Sequence, residues 1–166
     1  MVELSEISTA RLILEPLRAE HADEMAGVLG DPALHTFIGG RPETTEELRV
    51  RYARWVAGSP DPAVRWRNWV IRLGSRDCLV GTVQATIEGT RAEVAWMVGT
   101  QWQGQGIATE AARGLVDALR TEGVRTVVAH VHPGNTASAR VARTLGLLPS
   151  GREQDGEEEW AHTFGS

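Results

Sequence analysis

Residues 101–111 read QWQGQGIATEA, with Gly104 and Gly106 standing where the chain is about to enter a long amphipathic pattern. From there Ile107, Ala111, Leu115 and Leu119 recur every four positions, joined by Ala108, Ala112 and Val116. Glu110, Arg113, Asp117 and Arg120 fall on the opposite side. This periodicity predicts a helix that stops at Gly123. The segment just before the glycines, AEVAWMV (residues 92–98), has strand composition. A strand, a glycine loop and a helix start bring several backbone N–H groups without helical acceptors toward one point, at the positive end of the helix dipole. Such a point suits an anion. Glycine admits positive φ and close approach, and the neutral Gln101, Gln103 and Gln105 set no carboxylate against a negative charge. A tight strand-to-helix turn is the alternative reading of the same residues.

Outward from the loop the chain alternates between the two periods. ARLILEPL (10–17) alternates as a strand, and AEHADEMAGVLG (19–30) puts Ala22, Met25, Ala26 and Leu29 at helical spacing. A turn-rich interval (30–44) leads to a second helix, with Leu48, Tyr52 and Trp55 on one face, Glu46 and Glu47 near its start, and an end near Gly58. RNWVIRL, DCLVGTVQATIEG and AEVAWMV predict three successive antiparallel strands, the last two joined by a hairpin at Gly89 and Thr90. After the long helix come a β-branched strand, TVVAHVH (126–132), a short helix, NTASARVARTLG (135–146), and an edge strand, EEWAHTF (158–164). The fold class is mixed α/β, without repeats or linkers, and 166 residues are the size of one domain spanning 1–166.

Composition narrows the function. With 42% hydrophobic and 23% charged residues and no twenty-residue apolar run, the chain reads as a soluble globular protein. Its formal net charge of −5 gives no general electrostatic reason for binding nucleic acid or an anionic membrane. The N-terminus lacks the basic and apolar regions of a secretory signal, so a cytoplasmic location is expected. Cys78 is the only cysteine, which excludes an intrachain disulfide, and its setting in CLVGTV predicts a buried strand thiol.

Two phosphate-binding motifs are excluded. The loop does not end in the Gly-Lys-Ser/Thr of a P-loop, and Thr109 stands where a Gly-x-Gly-x-x-Gly pattern needs its third glycine. Instead, Gln103-x-x-Gly106-x-Ala108, preceded by a strand and followed by a long helix, resembles the Gln/Arg-x-x-Gly-x-Gly/Ala loop of the GCN5-related N-acetyltransferases (GNAT superfamily). Asn135, Ser138, Leu145 and Gly146 match the Asn-x-x-Ser and Leu-Gly pattern of the branch that includes ribosomal-protein N-terminal acetyltransferases (RimJ/RimL-type). TARLILEPL is similar to the opening strand of that branch, so the resemblance spans nearly the whole chain. Leu147 stands where phenylalanine is common.

The resemblance implies a central, mostly antiparallel twisted sheet, splayed between its fourth and fifth strands and flanked by helices. It implies acetyl-CoA as cosubstrate, no metal, and direct acetyl transfer to a primary amine, either a protein N-terminus or a small molecule; a homodimer stays open. Carried over residue by residue, backbone groups near Met97 and Val98 would align the pantetheine and thioester. The N–H groups of Gln103, Gly104, Gln105, Gly106, Ile107 and Ala108 would hold the pyrophosphate, and Asn135 would contact the cofactor from the next helix. Acceptor specificity would reside in residues 19–58. A non-catalytic acyl-CoA-binding module is a further alternative.

Glu93, in the strand before the loop, is the candidate general base; as an ordinary strand glutamate it would pair with Arg91 or Arg72. Ser138, three residues after Asn135 on one helical face, is the candidate hydrogen-bond donor to the departing thiolate; alternatively Asn135 only caps that helix. The family's general-acid tyrosine lies after the last central strand, whereas the single tyrosine here, Tyr52, is far upstream. His130 and His132 point to one side of a strand but lack a third ligand, which favours a structural or substrate-lining role. Glu43, Glu46 and Glu47 could attract a cationic amine or simply form a solvated helix start. The six tryptophans cannot be sorted between core and pocket from sequence.

Overall fold

The computed structural model describes residues 4–37 and 40–165. Residues 1–3 of the N-terminal stretch, Ile38 and Gly39 of the turn-rich interval, and Ser166 lie outside them. The strands are β1 (Ile7–Ser8), β2 (Leu12–Pro16), β3 (Val64–Leu73), β4 (Cys78–Glu88), β5 (Arg91–Val98), β6 (Thr126–Val131), β7 (Leu148–Gln154) and β8 (Glu157–Thr163). The helices are α1 (Ala22–Val28), α2 (Thr45–Ala57), α3 (Ile107–Thr121) and α4 (Thr136–Thr144). Short 3-10 turns cover Ala19–His21, Pro32–His35 and Thr100–Trp102.

All strands join one sheet in the order β1-β2-β3-β4-β5-β6-β8-β7, and every pairing is antiparallel except β5–β6. The β5–β6 ladder holds only from Arg91↔Thr126 to Glu93↔Val128. Beyond Glu93 the two strands part, which is the expected splay between the fourth and fifth strands counted from β2. Parallel neighbours need a crossover, and α3 supplies it.

Alternation along the strands sends side chains to two helical layers. Leu14, Trp69, Ile71, Val80 and Val94 join α3 and α4 in the larger core. Val70 and Leu79, one residue out of phase with their neighbours, meet Met25 of α1 and Tyr52 of α2 on the other face. The α3 stripe is buried as its spacing predicts, from Ile107 through Leu119. Trp69 and Trp160 are core, while Trp55, Trp66, Trp96 and Trp102 are half-buried. No helix among the described residues is long and apolar enough to cross a membrane.

Three sequence expectations change. EEWAHTF is not an edge strand: β8 lies between β6 and β7, and β7 forms the edge. β7 reads LPSGREQ, whose proline, glycine and uniformly exposed positions carry no alternation to betray a strand. Cys78 is half-buried at the start of β4 rather than fully buried. Glu110 does not face away into solvent; it anchors the N-terminal strands, as described next.

Candidate active site

A helix start leaves four N–H groups that must find acceptors. Two helices here solve this with side chains. Thr44 and Glu47 form a reciprocal capping box on α2, and the Asn135 side chain accepts from the Ser138 amide on α4 at 3.1 Å. For α3 the N-cap position is Gly106, with φ 77° and no side-chain cap. Gly104 also sits in the left-handed region, with φ 78°. A side chain at either position would strain the backbone, so both glycines are required by the turn itself. Among the described residues, nothing accepts from the amides of residues 104–109; the next amide, of Glu110, bonds the Gly106 carbonyl at 3.0 Å. Gln103 is different. Its amide donates to the Thr100 carbonyl at 3.3 Å and its side chain to the Val98 carbonyl at 3.0 Å, so it braces the loop and the open amides begin at Gly104.

The N-terminal strands hold this loop in place. The Glu110 carboxylate accepts from the Thr9 hydroxyl at 2.5 Å, the Arg11 amide at 2.8 Å and Arg11 Nε at 2.7 Å. Arg11 in turn donates from a terminal guanidinium nitrogen to the Gln105 carbonyl at 2.9 Å. Burial pulls the Glu110 carboxyl upward, yet the bonds from Thr9 and Arg11 outweigh it and hold the group below its ordinary value. The helix start therefore contains an acid whose charge is already matched, next to a guanidinium. Sequence reasoning missed both partners, because ninety-nine residues separate Arg11 from Glu110 and no local pattern links them.

On the opposite sheet face, Glu93, Ala95 and Met97 follow one another along β5. Glu93 is half-exposed, and its Oε1 meets His130 Nδ1, not Arg91 or Arg72. Arg72 is taken by Glu15 and Asp77. A carboxylate only accepts, so His130 Nδ1 carries the hydrogen. Glu159, 8% exposed, stands directly opposite His130 across the β6–β8 ladder. His132 lies just beyond β6; its Nδ1 accepts from the Gly134 amide at 2.9 Å and its ring packs on Phe37, centroids 4.9 Å apart. The two histidines thus have separate partners, and among the described residues no group of three or more ligating side chains could hold a metal. The Ser138 side chain is half-buried and makes no hydrogen bond among the described residues.

Beside Ala95 and Met97 opens a pocket of about 260 Å³, between the sheet and helices α1 and α2. Tyr52, remote in sequence, forms part of its wall. Its hydroxyl is shut off from solvent and finds no partner among the described residues, and burial pushes its pKa upward, so it remains a neutral phenol. Met97 is braced from behind: a Cβ on Gly81 would lie 2.2 Å from the Met97 carbonyl oxygen.

Residues 11–148, which include the α3 start, β5 and the pocket-lining helices, fit the family model described as an acetyltransferase (GNAT) domain. The chain belongs to the GNAT family. This GNAT protein is 23% identical over 158 residues to an uncharacterized N-acetyltransferase of Schizosaccharomyces pombe, covering 87% of this chain and 85% of that one. Among solved structures it is similar to RimL, a ribosomal L7/L12 alpha-N-protein acetyltransferase in complex with coenzyme A, with a TM-score of 0.75 at 18% identity over 96% of this chain and 98% of that one. It is equally similar to a spermidine N-acetyltransferase chimera from Vibrio cholerae and hSSAT, with a TM-score of 0.74 at 19% identity over 93% of this chain and 96% of that one. The shared fold spans acceptors as different as a protein terminus and a polyamine, so the GNAT fold by itself selects neither.

Proposed function

We propose that this chain acts in the cytoplasm as an N-acetyltransferase, moving the acetyl group of acetyl-CoA to a primary amine, with residues 104–108 holding the pyrophosphate and Glu93 serving as general base. The observation that carries this reading is the α3 start, where successive amides, two of them on left-handed glycines, meet neither a cap nor an acceptor among the described residues. A diphosphate supplies acceptor oxygens and negative charge of the kind such a helix end favours. Arg11, its charge balanced by Glu110, fastens the Gln105 carbonyl, and Gln103 keeps the loop in shape from Val98.

The backbone of Met97 and Val98 runs where the two strands part, alongside the pantetheine and thioester. Glu93 takes the nitrogen's proton as the C–N bond forms, held for that task by the hydrogen bond from His130 Nδ1. The Ser138 hydroxyl donates to the sulfur as the C–S bond breaks. Asn135, whose oxygen caps α4, keeps its amide nitrogen for the cosubstrate. The acceptor nitrogen is the α-amine of a polypeptide or the amine of a small molecule.

The test is an acetyl-transfer assay that follows thiol release and the acetylated product across peptide and small amines. Glu93→Gln is expected to lower kcat by roughly 10²- to 10⁴-fold, the usual share of a general base, while acetyl-CoA affinity is kept. Thermal stabilisation by acetyl-CoA with no transfer to any amine would overturn the enzymatic reading in favour of a non-catalytic acyl-CoA-binding module.

A further inference from the structure

The pocket beside Glu93 has a chemistry of its own. Its walls are largely apolar, from Ala26 and Leu29 on the α1 side, Leu48, Tyr52 and Trp55 on α2, and Met97 on β5. Thr82 and Gln84 contribute polar spots from the sheet, and His35, Glu43 and Arg51 complete the polar part of the lining. The Tyr52 and Trp55 rings lie 5.8 Å apart, so two aromatic groups border one space. At about 260 Å³ the pocket is smaller than the ~300–1,000 Å³ of a site for a drug-sized ligand. It suits one side group, not an oligosaccharide.

The carboxylate in its lining already has a cation beside it. Among the described residues, the only carboxylate lining the pocket, Glu43, pairs with Arg51 at 2.8 Å. Of the two neighbouring acids, Glu46 pairs with Arg49 at 2.7 Å, and Glu47 accepts two bonds from Arg41, each of 2.9 Å. The same guanidinium holds the Glu47 carboxyl down at about 2. Glu43 and Glu47 each have a guanidinium of their own, whereas Glu46 shares Arg49 with Asp23 and lies outside the pocket lining. A second or third ammonium entering this pocket would lose its water without gaining a counter-charge, and burial without a partner is costly.

We infer that the acceptor is a monoamine carrying an apolar, ring-sized group, which fills the pocket between α1, α2 and β5 while its nitrogen reaches toward Glu93. The distance suits this: Ala95 in the pocket wall is two residues along β5 from Glu93, a rise of about 6.6 Å on the same face. The inference rests on the acetyltransferase reading above. An N-terminal residue with an apolar side chain and a free arylalkyl amine present the same chemistry, so both enter the test.

The experiment compares kcat/KM for phenethylamine, a tripeptide beginning with phenylalanine, a tripeptide beginning with aspartate, and spermidine. The inference expects at least one phenyl-bearing acceptor to exceed spermidine and the aspartyl peptide by roughly tenfold or more, the scale of discrimination an apolar pocket provides. Whether the free amine or the peptide leads identifies the source. Arg51→Gln, an exposed substitution that releases Glu43, is expected to raise the spermidine-to-phenethylamine ratio several-fold. Ala95→Phe, which fills the pocket, is expected to raise KM for the phenyl-bearing acceptor while stabilisation by acetyl-CoA persists. Spermidine equal to or better than both phenyl-bearing acceptors in the parent protein would overturn the inference and leave the acetyltransferase reading standing. Transfer to none of the four would contradict both.

Discussion

Removing the Glu110 carboxylate should weaken the fold and the cosubstrate site together. Glu110 is 19% exposed on its side chain and accepts three hydrogen bonds from Thr9 and Arg11. Bonds to a charged group are worth about 1.5–3 kcal/mol each, but they are not additive, and Arg11 is 46% exposed and can turn to water. For Glu110→Ala we therefore expect a loss of about 2–3 kcal/mol in total. For a chain of this size that lowers Tm by about 5–10 °C, read by calorimetry at neutral pH. The variant also frees the Arg11 guanidinium from the position that holds the Gln105 carbonyl, so acetyl-CoA affinity should fall by roughly tenfold, or about 1.4 kcal/mol.

The pH dependence has a defined sign. The folded carboxyl lies below its ordinary value, so its contribution is present above the unfolded value of about 4.3 and is lost as pH falls through the folded value. The stability difference between parent and variant should accordingly narrow in acid below about pH 4. A Tm within about 1 °C of the parent at neutral pH, with acetyl-CoA affinity intact, would refute the claim that this cluster holds the loop.

Three further outcomes are expected. His130→Asn, which can place an amide donor near the Nδ1 position, should keep most of kcat, whereas His130→Leu should lose roughly tenfold or more with KM for acetyl-CoA unchanged; equal activity of the two would remove His130 from the positioning of Glu93. Tyr52→Phe deletes a buried hydroxyl without a partner among the described residues, so Tm should hold or rise and kcat should be unaffected, while a tenfold fall in kcat would show that the phenol takes part in the chemistry. Gly81→Ala drives a Cβ into the Met97 carbonyl, so we expect about 1–3 kcal/mol of destabilisation, measured by urea unfolding, and a Tm equal to the parent would contradict the close approach of β4 and β5 at that point.

Local periodicity carried much of the architecture. The spacing of Ile107 through Leu119 defined α3, and the Gly89–Thr90 turn defined the β4–β5 hairpin. The paired glycines at 104 and 106 marked positions whose φ is positive. Each of these is a property of neighbours in the chain. What escaped depends on partners far apart. Glu110 was read as solvent-facing because helical periodicity cannot reveal a β1–β2 turn folding over the helix start. His130 was not matched to Glu93 because the β5–β6 contact is made only after the α3 crossover. Tyr52 was set aside for its distance along the chain, yet α2 returns it to the wall of the pocket beside Met97. β7 lacked any alternation, so the order of the last two strands could not be read.

The central claim is that the open amides of the α3 start hold the diphosphate of coenzyme A. It is tested most directly by following the backbone amide resonances of ¹⁵N-labelled protein during titration with coenzyme A, beside NAD as a second diphosphate-bearing ligand. The account predicts saturable shifts with coenzyme A that are largest at Gly104, Gln105, Gly106, Ile107 and Ala108, a smaller change at Gln103, and no saturation with NAD. Saturable binding that leaves the residue 104–108 amides unmoved, or no binding at all, would contradict it and reduce the glycine loop to a turn between β5 and α3.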